Sequence, residues 1–308
     1  MIRQQLEFDQ YIAPDGQVYQ FGNKRDKFIY PMGNLGMAPI RYVTQRGPYQ
    51  HGETMLDYFL EPRIIQVRHR RVEKSRTGQW DARFDLLDAL RPNRQAINSL
   101  EPGILRKIRA DGTIRDLNVI VLEGPSFTPA TGNNWDEWAT DDIIRFIAHD
   151  PVFFDPEEIE TIFNFSTFEE LVFPIDFPIA FFASTFDETD TIEYSGTWLS
   201  YPEIIMTGPM NNPIITNTTT GEKIELDYNI ALGETVTVTT EYGNKTITNN
   251  DGDNLIGTLT TDSDLATFHI APDPEAPDGE NALRAQGAGA DSAITQMVVK
   301  YLNRYIGQ

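Results

Sequence analysis

From residue 200 onward a turn signal recurs roughly every 8–12 residues, the spacing at which an antiparallel sandwich reverses direction. The signals are Thr220-Gly221-Glu222, Leu232-Gly233-Glu234, Tyr242-Gly243-Asn244 and Asp251-Gly252-Asp253. Thr, Val and Ile dominate between them, and no helical period follows residue 170. The predicted strands are Glu203–Met206, Pro213–Asn217, Lys223–Tyr228, Thr235–Thr240, Lys245–Thr248, Ala266–Ile270 and Ala293–Tyr305. No internal repeat marks a solenoid or a propeller. This half of the chain therefore reads as a β-sandwich.

Charge separates that half from the rest. Residues 1–150 hold 20 Lys and Arg against 20 Asp and Glu; residues 151–308 hold 5 against 26. All of the formal net charge of −21 lies after Asp150-Pro151. An acidic block of this kind is a poor binder of phosphate backbones and a soluble one. At 308 residues the chain exceeds what one core serves. The expected domains are 1–150 and 151–308, with 151–200 as connecting strands. The chain has no cysteine, which removes disulfides, thiolate metal sites and a cysteine nucleophile. The longest apolar patch, Phe177 to Ala183, is too short for a membrane span. Met1 to Glu7 lacks the apolar core of a secretion signal.

The first half reads as strands with one helix. Pro14-Asp15-Gly16 between Leu6–Phe8 and Val18–Phe21 predicts a hairpin. Phe59–Leu60 and Ile64–Val67 form a strand region split by Pro62. From Gly78 to Leu90, Trp80, Phe84, Leu87 and Leu90 recur at near-helical spacing as one apolar stripe, and Pro92 stops the helix. Asp111-Gly112 joins Ile104–Ile108 to Ile114–Val121 in a second hairpin. Gly124 to Asp142, with Trp135 and Trp138, reads as a long loop or arm before a strand at Ile143–Ala148.

Catalytic patterns are missing. There is no P-loop, nucleophile elbow, zincin or dinucleotide motif. His51, His69, His149 and His269 are scattered. The spacings His69–Glu73 and His269–Asp273 would align metal ligands only on a helix, and both fall in strand or loop. Asn249 to Asn254 lacks the ligand ladder of a calcium loop and reads as a hairpin turn; Asp273 to Glu280 reads as an exposed loop. No catalytic residue, metal or cofactor is expected. The one basic stretch is Arg63, Arg68, Arg70, Arg71, Lys74 and Arg76. It reads as a solvated strand or as a contact surface for an acidic neighbour. Arg63, Arg68, Arg70 and Arg71 are the candidate subunit or tube interface.

One series is more specific. It begins with Tyr201-Pro202-Glu203-Ile204-Ile205-Met206-Thr207-Gly208-Pro209, Asn212 to Asn217 and Thr220 to Ile224. It continues with Leu232 to Val238, Lys245 to Ile247, Ser263 to Phe268 and Tyr301 to Tyr305. This series resembles the C-terminal domain of the distal tail protein (Dit) family of long-tailed, siphovirus-type bacteriophages. The order of elements in the first half, closing on Asp150-Pro151-Val152-Phe153-Phe154, is similar too.

The resemblance implies a mainly β protein: an N-terminal β-sandwich or split-barrel ring domain with one helix, then a galectin-like β-sandwich. It implies a structural, non-enzymatic hexameric ring at the far end of the tail tube, in the virion tail after assembly in the host cytoplasm. The implied partners are other copies of the chain, the tail tube protein, and tail-tip or baseplate hub and receptor-binding proteins. Tape-measure protein and DNA would pass transiently through the lumen; no membrane is involved. The truncation 1–195 is expected to form rings alone. The alternatives are a carbohydrate-binding module, using aromatics among Tyr201, Tyr228, Tyr242, Phe268, Tyr301 and Tyr305, and a tail-associated hydrolase.

Overall fold

The computed structural model describes residues 8–21, 27–29, 33–73, 75–91, 101–109, 111–129, 139–165, 185–291 and 293–308. Trp135, Trp138, Pro92, Lys74, the Phe177 to Ala183 patch and Met1 to Glu7 lie outside these. No described helix is long and apolar enough to cross a membrane. The chain divides into two compact units, Met1–Pro156 with Tyr305–Gln308, and Glu157–Arg304. The first unit thus takes back the last four residues of the chain, which the sequence did not announce.

In the first unit the strands are β1 (Phe8–Ile12), β2 (Val18–Gln20), β3 (Lys27–Ile29), β4 (Ile40–Gln45), β5 (Thr54–Leu60) and β6 (Arg63–Val72). After the helix α1 (Arg76–Leu90) come β7 (Gly103–Ile108), β8 (Ile114–Glu123), β9 (Thr128–Pro129), β10 (Ala139–Ala148) and β11 (Phe153–Phe154). The main sheet runs β2-β1-β7-β8-β10-β6-β3. Both expected hairpins form: β1 pairs with β2, and β7 with β8 in the register Arg106↔Asp116. At the second turn Gly112 takes φ +89° and the Asp111 carboxylate accepts the Thr113 N–H, the geometry for which this dipeptide is suited. Tyr11, Phe21, Ile65, Val67, Leu117, Ile144 and Phe146 form the core.

Ser75 caps α1 by accepting the Gly78 N–H. The helix buries Gln79, Leu86, Ala89 and Leu90 against the core, not the expected stripe. Trp80, Phe84 and Leu87 face solvent, Phe84 at 63% exposure. The cause is helical geometry. At about 100° per residue, Leu90 stands about 40° from Leu86 but about 80° from Trp80. Leu90 therefore belongs to the buried face, and the other three form a face of their own.

The second unit contains β12 (Ile159–Asn164), β13 (Thr185–Glu193), β14 (Glu203–Thr207), β15 (Met210–Asn217), β16 (Glu222–Glu225), β17 (Asn229–Ile230), β18 (Thr235–Thr239), β19 (Thr246–Asn249), β20 (Glu280–Ala288) and β21 (Gln296–Tyr301). The last strand, β22 (Arg304–Tyr305), carries the chain back to the first unit. One sheet is ordered β12-β21-β14-β18-β19; the other is β13-β20-β15-β16, with β17 beside β15. Ile204, Met206, Val236, Val238, Met297 and Val299 of the first share a core with Ile215, Ile224, Leu283 and Ala285 of the second, so the pair is a sandwich.

Ala266–Ile270 is not a strand. The N–H groups of Thr267 and Phe268 turn back to the Asp264 carbonyl, and only Ile270 bridges, to Ser200. Phe268 and Ile270 instead plug the core from this loop. The Asn249 to Asn254 segment is a side-chain-capped turn, with the Asn249 amide oxygen accepting the N–H groups of Asp251 and Asp253.

Candidate assembly surfaces

The four candidate arginines all lie on β6, which alternates strictly between core and outer face over Arg63–His69. Alternation sends Arg63, Ile65, Val67, His69 and Arg71 inward and Ile64, Gln66 and Arg68 outward. Arg63 is 0% exposed. Its guanidinium donates to the carbonyls of Asn34 (3.0 Å), Gly36 (2.9 Å) and Ile306 (2.9 Å), and lies 4.8 Å from the Phe153 ring centre. Burial pulls its pKa down, with Asp150 acting against that. Arg71 is also buried and donates to the Tyr19 hydroxyl. Neither side chain is available to a neighbour, because both are consumed in holding the first unit together. Arg68 is exposed and Arg70 half-buried, so they remain as surface candidates. Arg68 stands opposite exposed Ile143 of β10, on a mixed apolar and basic sheet face that also carries exposed Ile64 and Ile120 farther along.

The sequence reading missed a cluster of exposed apolar side chains on β4 and β5. Among the described residues β4 and β5 pair only with each other, as a two-stranded sheet separate from the main one. Tyr42, Met55, Leu56, Tyr58 and Phe59 are all about half exposed or more. Its tip is built on Gln50, whose amide accepts the Gly47 N–H and donates to Thr54, while Arg46 Nε donates to the Gln50 carbonyl. Tyr49 at the tip is fully exposed and sits at φ +64°, a strained backbone position for a non-glycine residue. The available signal was the run Met55-Leu56-Asp57-Tyr58-Phe59, which places large apolar residues on both faces of a strand. An isolated two-stranded hairpin is marginal in water, so one that exposes large apolar side chains on both faces calls for a partner.

The outer face of α1 is the second such feature. Trp80 and Phe84 lie with ring centres 6.5 Å apart. A groove of roughly 750 Å³ runs between the C-terminal half of α1 and the end of β8, lined among others by Phe84, Asp85, Leu87, Asp88, Leu122 and Pro125.

In the second unit most cations are held by carboxylates: Lys223 by Glu225, Arg284 by Asp187 and Lys300 by Glu160. Lys245 differs, donating to the carbonyls of Leu265 and Ala266 while its Nζ lies 4.5 Å from the Tyr242 ring centre. Tyr201 meets Tyr242 edge-on at 4.8 Å, and Arg304 lies 5.3 Å from Tyr201. Of the other aromatics, Phe268 and Tyr301 are core. The His269 ring nitrogens approach the Thr267 carbonyl (2.8 Å) and Glu275 (3.2 Å). No grouping of three metal-binding side chains occurs among the described residues.

Residues 195–305 match the family model for the siphovirus-type tail component, C-terminal domain. Among solved structures, the Dit protein of phage SPP1, described as a paradigm of the hub adsorption apparatus in phages infecting Gram-positive bacteria, superposes at a TM-score of 0.61 and 12% identity. The match covers 97% of this chain and 99% of that one. A chain of the phage P2 baseplate in its activated, calcium-bound conformation gives 0.48 at 10% identity, over 96% and 98% of the two chains. No curated protein matches the sequence.

Proposed function

We propose, from the match of residues 195–305 to the siphovirus-type tail component family model, that this chain is the ring-forming distal tail protein of a long-tailed phage. In this reading six copies close a ring at the far end of the tail tube. The ring joins the tube to the baseplate or tail tip and leaves a channel for DNA. The role is structural and needs no covalent chemistry.

The observation that carries the reading is the β4–β5 hairpin, which among the described residues pairs only with itself and carries exposed apolar side chains on both faces. A ring needs a heterologous interface, in which one surface of each copy meets a different surface of the next. A projecting arm supplies one half of such a contact. The charge-balanced first half suits close packing of copies, with Arg68 and Arg70 on the subunit or tube surface. The acidic second unit suits an outward position, where like-charged neighbours are splayed apart and hub or receptor-binding proteins dock. Negative-stain imaging of the purified chain tests this. Six-fold rings are the expected result; monodisperse monomers at every protein concentration reached would refute it.

A second reading, glycan attachment, is favoured by one observation: Tyr201, Tyr242, Lys245 and Arg304 converge on one patch of the second unit. A glycan array with the Tyr242→Ala variant as control tests it. Binding that survives the substitution, or no binding at all, removes this reading.

A further inference from the structure

Among its described residues the first unit carries two apolar features of opposite shape that no other element covers, an arm and a groove. The geometry points to one contact that covers both: the tip of the β4–β5 hairpin of one copy seats in the groove beside α1 of the next. This deepens the ring reading and rests on it.

Three observations select a second copy as the occupant. The first is reach. The seven residues of β5 extend about 23 Å at about 3.3 Å per residue, far enough to leave the parent sheet. The second is charge. The tip carries Arg46 and His51 on either side of Tyr49, with Glu53 behind them; the groove is flanked by Asp85 and by Asp88, which pairs with Arg91 at the same groove, and Asp81 stands one turn earlier on the helix, so the helix side keeps an acidic excess. The third is fit. Tyr49 is held outward from a strained backbone position, and a groove of roughly 750 Å³ edged by Phe84, Leu87 and Leu122 has room for its ring and for neighbouring tip side chains. Arm and groove are different surfaces, so each copy uses its arm on one side and its groove on the other. That is the connectivity of a ring, not of a two-fold dimer.

The chain has no cysteine, which makes the test clean. In the full chain, Tyr49→Cys with Leu87→Cys is oxidised and run on a non-reducing gel. The expected result is a covalent ladder of dimers and higher species, while either single variant yields dimers at most. A second measurement uses mixing. Tyr49→Asp disables the arm and Phe84→Asp the groove, both at exposed positions where folding tolerates the change. Each variant alone should be monomeric by light scattering, and a mixture should stop at one-to-one dimers, since one intact arm meets one intact groove. If wild-type protein forms rings but the double-cysteine chain gives no ladder and both aspartate variants still assemble, this docking is overturned and the ring reading stands. Monomeric wild-type protein with no ladder overturns both.

Discussion

Arg63 and Arg68 are five positions apart on one strand, and the structure assigns them opposite duties that a single substitution series separates. Replacing Arg63 by alanine removes three charge-assisted hydrogen bonds, to Asn34, Gly36 and Ile306, and the packing over Phe153. Each such bond contributes about 1.5–3 kcal/mol net, but the three share one cation whose burial opposes folding. The carbonyls of Asn34 and Gly36, on exposed residues, regain water in the variant, which lowers the loss further. The expected cost is about 3–5 kcal/mol. Arg63→Lys should recover only part of it, because one ammonium group does not match three carbonyls presented to a planar fork. The assay is urea unfolding in a Trp198→Phe background, where the remaining tryptophans, Trp80, Trp135 and Trp138, all belong to the first unit. With a slope of about 2 kcal/mol per molar urea, the midpoint should fall by about 2 M. Arg68→Ala, on the outer face, should move it by no more than about 0.5 kcal/mol equivalent. An Arg63→Ala midpoint indistinguishable from that of Arg68→Ala would refute the assignment.

Asn281 is fully buried and uses its whole amide: the oxygen accepts from Ala271 N and Asn217 Nδ2, and the nitrogen donates to the carbonyls of Ala271 and Gly279. Asn281→Ala should destabilise the second unit by about 3–4 kcal/mol, read by calorimetry as a fall of about 10 °C in its transition; a fall of a degree or two would mean the network is dispensable. Asp187 is held below the usual carboxylate range by hydrogen bonds from Arg284, which outweigh the opposing effect of desolvation. A depressed folded pKa stabilises fully above the unfolded value of about 3.9 and loses that contribution as pH falls through the folded value. The stability gap between wild type and Arg284→Met should therefore be present at neutral pH and close in acid. A gap that is flat with pH contradicts the pairing.

What was legible in the sequence follows from which forces act locally. Asp111-Gly112 specified its hairpin because Gly112 adopts a left-handed backbone at no steric cost. The run from Gly78 to Leu90 specified a helix through its period, although the helix begins earlier, at Arg76 behind the Ser75 cap. The face that helix buries was not legible, because Trp80, Phe84 and Leu87 satisfy the same period as a core stripe. Only the packing partner decides between them, and if a neighbouring copy covers them the period had found an interface. The alternation on β6 was hidden by its chemistry: Arg63, His69 and Arg71 occupy core positions that hydropathy assigns to solvent. Carbonyls from Asn34, Gly36 and Ile306 make this possible, and two of those lie some thirty residues upstream and the third near the end of the chain. β20 was missed because Ala282, Ala285 and Gly287 lack the branched residues by which strands are recognised, although its central place between β13 and β15 favours small side chains. Gly287 is one such case, since a Cβ there would meet the Phe186 ring at 2.4 Å.

The return of Tyr305–Gln308 to the first unit changes how the division of labour should be tested. A chain cut at residue 195 keeps the arm, the groove and Arg68, yet it lacks the Ile306 carbonyl that Arg63 binds. It also lacks Tyr305, whose ring lies 3.6 Å from the Arg115 guanidinium and whose hydroxyl donates to Asp155 at 3.0 Å. Such a truncation leaves a buried guanidinium short of one acceptor and exposes the apolar surface that the tail covered. Its failure to form rings would therefore say nothing about which unit builds them. The informative construction replaces residues 158–303 with a short Gly-Ser linker, so that Pro156 and Tyr305 both remain. Asp155 and Tyr305 already touch, so a few flexible residues suffice to close the gap. If the first unit alone builds the ring, this protein assembles as the full chain does, while the cut at 195 is less stable in urea whether or not it assembles. A linked protein that folds with a cooperative urea transition but stays monomeric would show that the acidic unit contributes to the ring contacts, and the separation of roles proposed for the two halves would fall.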